Sequence, residues 1–137
     1  MLLLRRTALI ILWVLAGLGV ASGAVWALTS AGVIKPLIVI SGSMEPDIMT
    51  GDLLIATKTE AADLATGDVV SLDSDLTSNL VTHRIVRIVP VGDGSFTVTM
   101  KGDNNEFEDA LDYTVSGEVW KPAMQIAGAG AFVARLT

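Results

Sequence analysis

The chain has 137 residues, of which 51% are hydrophobic and 18% charged, so it is long enough for one small domain and little more. It carries a net charge of −6 and contains no cysteine. Disulfides, zinc–thiolate sites, iron–sulfur clusters and a thiol nucleophile are therefore excluded. A metal centre built on several histidines is excluded because the chain has a single histidine, and the acidic balance argues against a nucleic-acid partner.

Residues 1–34 predict a short cytoplasmic stub and a membrane anchor. No charged residue stands between Arg6 and Lys35, and about 20 apolar residues in a helix are enough to cross a bilayer. Arg5 and Arg6 favour a cytoplasmic N-terminus, which places the rest of the chain on the other side of the membrane. A cleaved signal peptide is the alternative, because the Ser-Gly-Ala sequence at 22–24 is a small-x-small cleavage candidate.

Residues 35–137 predict an extracytoplasmic, β-rich domain. Short runs rich in β-branched residues alternate with turn residues, a pattern typical of a small antiparallel sheet or barrel. The predicted strands are Leu37–Ile40, Asp52–Thr57, Asp68–Leu72, Leu80–Val89, Ser95–Met100 and Val115–Trp120. The Gly-Asp-Gly sequence at 92–94 predicts a hairpin turn. The Gly- and Ala-rich residues 124–137 leave a final strand and part of a second membrane segment both open.

The single histidine lies in the predicted strand Leu80–Val89. Strict alternation predicts that one face of this strand carries Val81, His83, Ile85, Arg87 and Val89. A lone histidine in a strand is most often a hydrogen-bonded structural residue. It can act as a general base only where a nucleophile and a carboxylate partner lie beside it.

Two other segments offer such partners. Ser43 lies in a Ser-Gly-Ser-Met-Glu-Pro turn, where glycine permits a sharp bend that can present a hydroxyl and a backbone N–H together. Several carboxylates follow one another in a later loop, namely Asp103, Glu106, Glu108, Asp109 and Asp112. Taken alone, the first segment is more typical of a plain turn after a strand, and a solvated acidic loop is the alternative for the second.

The order of the motifs along the chain is more specific than any one of them. An apolar anchor is followed by Ser-Gly-Ser-Met-Glu-Pro at 41–46, Gly-Asp-Leu-Leu at 51–54, Gly-Asp-Val-Val at 67–70, Thr-His-Arg-Ile-Val at 82–86 and Lys-Gly-Asp-Asn-Asn at 101–105. This series resembles that of type I signal peptidases over residues 1–130. Because histidine stands where the common bacterial form has lysine, the sequence is similar to the endoplasmic-reticulum subtype, which also occurs in archaea and some Gram-positive bacteria.

The resemblance implies roles for individual residues. Ser43 would be the nucleophile and His83 the general base. Asp109 is expected to orient His83, and Asp103 to be a second essential or structural carboxylate. Asp112 stays open as an alternative to Asp109, because the residues after Asp109 lack the glycine-containing stretch expected of the family.

The resemblance also implies a site around these residues. Ser41 would help the Ser43 N–H form an oxyanion hole, and Met44 and Ile40 are expected to bind substrate because they adjoin the serine. The implied fold is mainly β, a small antiparallel domain of the signal-peptidase and repressor-protease kind with one N-terminal transmembrane helix. No metal and no cofactor are expected.

The implied function is that of signal peptidase I, a membrane-bound serine endopeptidase that removes N-terminal signal peptides after small residues at positions −1 and −3. Its expected partners are signal-peptide-bearing preproteins and the lipid bilayer, with no nucleic acid; secretion machinery and partner subunits stay open. The expected location is the plasma membrane in a prokaryote or the endoplasmic reticulum in a eukaryote. The alternative is a catalytically inactive, membrane-anchored β-domain that acts as a binding module.

Overall fold

The computed structural model describes residues 1–136 and divides into two compact units, Met1–Val33 and a second that begins at Ile34. The first unit is a single helix, α1 (Leu2–Ser30), without a buried residue. Its 29 residues would extend over about 43 Å, which exceeds the roughly 30 Å of a bilayer core. By length and apolar composition α1 can cross a membrane, which confirms the prediction of one N-terminal helix of this kind.

The second unit is built on one antiparallel sheet. Its strands are β1 (Ile34–Ile38), β2 (Leu53–Glu60), β3 (Val69–Asp73), β4 (Leu80–Gly92), β5 (Ser95–Lys101), β6 (Tyr113–Ser116) and β7 (Glu118–Ile126). They lie in the order β1-β2-β7-β3-β4-β5-β6. A 3₁₀ turn (Ala61–Asp63) follows β2, and a short helix α2 (Ala129–Val133) follows β7. The prediction of a mainly antiparallel β fold is therefore confirmed.

Two apolar clusters hold this unit together. The larger lies on the sheet and includes Val70, Ile85 and Met100, all of them at most 1% exposed. The smaller consists of Met44, Ile48 and Leu54 and lies beneath the loop between β1 and β2. Full burial of such a side chain stabilises a fold by about 1.5–3 kcal/mol, so the second cluster fixes a loop that has no strand pairing of its own.

The predicted strand Val115–Trp120 is wrong as a single element. The structure divides it into β6 and β7 at Gly117, whose φ of +62° lies in the left-handed region that glycine adopts without a steric cost. Residues 124–126 then complete β7, and residues 129–133 form α2. Thr137, the end of the segment that was left open, lies outside the described residues.

The predicted face of β4 is wrong beyond its middle. The pairing of β4 with β5 shifts register at Val86, which forms a bulge. A bulge inserts one residue and so reverses the side-chain alternation that follows it. Arg87 and Val89 are therefore exposed rather than aligned with His83, and Ile88 packs on the core instead.

The predicted Gly-Asp-Gly hairpin is confirmed. Gly92 pairs with Ser95, and the two residues between them, Asp93 and Gly94, both have positive φ values of 53° and 71°. Two positive values are the conformation of a two-residue turn whose twist matches that of the strands it joins.

Candidate active site

His83 is the fourth residue of β4, and both of its ring nitrogens have side-chain partners. Its Nε2 is 3.0 Å from the Oγ of Ser43, and its Nδ1 is 2.8 Å from each carboxylate oxygen of Asp109. The imidazole is 11% exposed and the carboxylate 12%, so water screens the pair only weakly. With Nδ1 protonated and donating to the carboxylate, Nε2 is left as an acceptor aimed at the serine hydroxyl.

Ser43 comes from the loop between β1 and β2, which the Lys-Gly-Asp-Asn-Asn segment holds in place. The backbone N–H of Asn104 donates to the Ser43 carbonyl at 2.8 Å, and its side-chain amide donates to the Gly42 carbonyl at 3.0 Å. Next to it, a Cβ at Gly102 would lie 2.6 Å from the Ser43 carbonyl oxygen. Only glycine therefore permits this approach of the two segments.

Asp109 is held from two directions. Its backbone N–H donates to the carbonyl of Met100 on β5 at 2.9 Å. The hydroxyl of Tyr113 donates to its Oδ2, also at 2.9 Å. Burial, and then this hydrogen bond, raises the pKa of Tyr113 to about 12. The phenol is therefore protonated and able to donate throughout the neutral range.

The other two aspartates considered from the sequence lie elsewhere. Asp103 forms a two-point ion pair with Arg84, Nε to Oδ1 at 2.8 Å and Nη2 to Oδ2 at 2.7 Å. The hydrogen bond with Arg84, and then its charge, holds the pKa of Asp103 below the ordinary value. Asp112 instead accepts a hydrogen bond of 2.6 Å from the hydroxyl of Thr99. Of the three, the structure brings Asp109 to His83.

The three remaining predicted residues lie around the serine in different settings. The hydroxyl of Ser41 is 3.3 Å from that of Ser43. Ile40 is 85% exposed, whereas Met44 is 2% exposed and its sulfur accepts a hydrogen bond of 3.4 Å from the backbone N–H of Asp103. Ile40 and Met44 both line the groove beside the serine, but Met44 is first a residue of the smaller core cluster.

The groove beside Ser43 and His83 has a volume of about 780 Å³. One wall comes from β1 and the loop that follows it, and the other from the end of β3 and the start of β4; they include Leu37, Val39, Ile40, Leu80 and Val81. β1 pairs only with β2, so its other edge faces no strand within residues 1–136. An extended peptide can therefore reach the serine along an apolar channel.

Arg84 and Tyr113 were missed as site residues from the sequence. Arg84 directly follows His83, and alternation alone places it on the opposite face of β4. Nothing in the sequence pairs it with Asp103. Tyr113 lies four residues beyond Asp109, and its contact depends on how the loop between β5 and β6 closes. Within residues 1–136 no group of three histidine or acidic side chains is arranged to hold a metal ion.

Comparison with known proteins points to one family. No family model matches the chain. The human protein "Signal peptidase complex catalytic subunit SEC11C" is 30% identical over 92 residues, which cover 67% of this chain and 47% of the relative. "Signal peptidase I W" of Bacillus subtilis (strain 168) is 44% identical over 73 residues, 53% of this chain and 37% of the relative.

A fungal relative agrees with these two. "Signal peptidase complex catalytic subunit SEC11" of Eremothecium gossypii is 36% identical over 77 residues, 56% of this chain and 46% of the relative. The matches thus span about half the length of the curated relatives, or less. They come from a mammal, a bacterium and a fungus, and each relative is named a signal peptidase or its catalytic subunit. The chain is therefore homologous to the type I signal peptidases.

Proposed function

We propose that the protein is a membrane-bound serine endopeptidase that removes N-terminal signal peptides from preproteins. One observation carries the proposal: His83 lies within hydrogen-bond distance of Ser43 through one ring nitrogen and of Asp109 through the other. A nucleophile, a base and an orienting carboxylate in this order are the parts that acyl transfer requires.

In the proposed reaction the Oγ of Ser43 attacks the scissile carbonyl carbon while Nε2 of His83 takes the hydroxyl proton. The C–N bond then breaks as the imidazolium returns that proton to the leaving amine. Water, deprotonated by the same nitrogen, hydrolyses the acyl-enzyme and restores Ser43. Asp109 keeps the reactive tautomer and stabilises the imidazolium.

The oxyanion formed on the carbonyl oxygen also needs donors. The hydroxyl of Ser41 lies 3.3 Å from the attacking oxygen, close enough to donate to an oxyanion on the carbon that Ser43 attacks. With the N–H of Ser43 it would form the oxyanion hole. Loss of one such donor typically costs about 10²–10³ in rate.

The proposed substrates are preproteins with small residues at positions −1 and −3. Successive side chains of an extended peptide alternate in direction, so these two positions face the same way. A peptide that pairs with the free edge of β1 would turn both towards the groove wall, where Ile40 and Met44 lie. Small side chains fit there without displacing the packed core beneath Met44.

The proposed setting is a membrane, with α1 as the anchor. Arg5 and Arg6 at its start favour a cytoplasmic N-terminus and an extracytoplasmic catalytic unit, in the plasma membrane or the endoplasmic reticulum. Two of the relatives are named subunits of a signal peptidase complex, which supports partner subunits here as well. Protease protection of membrane vesicles tests the orientation: the unit that follows α1 should be shielded only where the extracytoplasmic side is enclosed.

A substrate comparison tests the function. The full chain in liposomes is incubated with a preprotein that has alanine at −1 and −3, and with the same preprotein carrying leucine at −1. We expect the first preprotein to be cleaved after position −1, which mass spectrometry of the new N-terminus identifies. The second should be cleaved at a rate at least about tenfold lower. Binding of the preprotein without cleavage would instead favour the inactive binding module.

A further inference from the structure

The Asp109 carboxylate has a second hydrogen-bond partner that the proposed reaction does not use. Its Oδ2 accepts the hydroxyl of Tyr113 at 2.9 Å while it also lies 2.8 Å from Nδ1 of His83. A carboxylate held by one partner can rotate about its terminal torsion, which has a broad energy minimum. A second partner at Oδ2 restrains that rotation.

The position of the Tyr113 hydroxyl is set by strands rather than by the loop that carries Asp109. Tyr113 is the first residue of β6 and pairs with Val98 on β5. Its ring packs against the larger core cluster. The donor is therefore more rigidly placed than the acceptor, as expected of a group that holds another.

The pocket next to the Asp109 carboxylate is acidic, and the Tyr113 hydroxyl is a hydrogen-bond donor on that side. A small pocket of about 230 Å³ adjoins Asp109 and Tyr113, and Asp73, Asp75 and Asp112 also line it. These three carboxylates share the pocket with that of Asp109 and are its like-charged neighbours there. A phenol donor on this side stabilises the charge and keeps it directed at His83. Asp103, by contrast, is paired with Arg84.

We propose that Tyr113 is a positioning residue of the active site, whose hydroxyl holds the Asp109 carboxylate in the plane in which it meets Nδ1 of His83. This inference rests on the proposed function for its effect on catalysis. Its structural content, a restrained hydrogen bond between Asp109 and His83, can be measured without any cleavage.

The experiment compares Tyr113→Phe with a matched control. Tyr113→Phe removes one hydroxyl and keeps the ring in the core. The control, Thr99→Val, removes another hydroxyl-to-carboxylate hydrogen bond, that of 2.6 Å to Asp112, which has no contact with His83. Both full-length variants are prepared in detergent without a histidine tag, and thermal melts establish that each is folded.

The first readout is the Nδ1 proton of His83, followed by nuclear magnetic resonance. The chain has one histidine, so its ring signal is unambiguous. We expect Tyr113→Phe to speed exchange of this proton with water by about tenfold, because the carboxylate that shields it is released, and Thr99→Val to leave the exchange rate within about twofold of that of the unmodified chain.

The second readout is kinetic. We expect Tyr113→Phe to lower kcat by about tenfold and to leave KM within about twofold, since a misplaced base slows the chemistry but leaves the groove intact. An unchanged exchange rate in Tyr113→Phe, or an equal change in Thr99→Val, would overturn the inference. If the unmodified chain cleaves no preprotein, the proposed function fails, and the exchange rates alone still decide the role of Tyr113.

Discussion

At the scale of single residues, the site depends on which carboxylate meets His83. Asp103, Asp109 and Asp112 lie within ten positions of the sequence, and spacing alone does not separate them. The structure separates them by partner, since Asp103 pairs with Arg84 and only Asp109 contacts the imidazole. Ser43 and His83 could be predicted because their motifs are local, whereas the choice of aspartate depends on the path of a loop.

Replacing Asp109 tests this choice directly. We expect Asp109→Asn to lower kcat by about 10³-fold, because an amide neither enforces the reactive tautomer nor stabilises the imidazolium. The matched variant Asp112→Asn alters a carboxylate three positions further on. Its kcat should stay within about threefold of that of the unmodified chain. Cleavage rates on one preprotein measure both, and similar losses in the two variants would contradict the assignment of Asp109.

At the scale of elements, strand positions could be predicted more closely than strand ends. β1 begins at Ile34, three residues before its prediction, and it includes Pro36, which an edge strand tolerates because a proline there need not donate to a neighbouring strand. The bulge at Val86 was missed because it lies inside a continuous β-type pattern and depends on pairing with the neighbouring strand. The break at Gly117 has a local signal, the Ser-Gly sequence at 116–117, which could have divided the predicted strand.

The contact between the Gly102 segment and the serine loop gives a prediction at this scale. Gly102→Ala should lower kcat/KM by roughly 10- to 100-fold, because its Cβ would push on the Ser43 carbonyl and displace the nucleophile. The control is Gly19→Ala in α1, where a Cβ meets open space. Cleavage kinetics and a thermal melt are recorded for both. Normal activity in Gly102→Ala would show that the serine loop tolerates the shift.

At the scale of the whole catalytic unit, a buried carboxylate joins distant segments. Asp52 is 3% exposed and accepts hydrogen bonds from the N–H groups of Met49 and Gly128 and from the side chain of Gln125, at 2.7–3.0 Å. The N–H of Gly128, then that of Met49, holds the pKa of Asp52 below the ordinary 3.8. From the sequence, Asp52 was only the first residue of a predicted strand, because two of its three partners, Gln125 and Gly128, lie more than 70 residues away.

This lowered pKa predicts how stability depends on pH. Asp52 is ionised more readily in the folded than in the unfolded chain, so its stabilisation is fully present above pH 3.8 and is lost as the pH falls through the lower folded value. We expect the melting temperature of Asp52→Asn to be lower than that of the unmodified chain at pH 7. The difference between the two melting temperatures should become smaller towards about pH 2. Asp93→Asn, in an exposed turn, serves as the control. A difference in melting temperature that does not change with pH would contradict the stabilising role of the ionised Asp52 carboxylate.

In the proposed mechanism Ser43 attacks the preprotein with His83 as its base, and a comparison of the two neighbouring serines Ser41 and Ser43 is a direct test. The full chain, Ser43→Ala and Ser41→Ala are incubated in liposomes with one secretory preprotein, and the new N-terminus is identified by mass spectrometry. We expect one cut after a small-x-small sequence, no cut with Ser43→Ala, and a rate lower by about 10²-fold with Ser41→Ala. Undiminished cleavage by Ser43→Ala would contradict this mechanism.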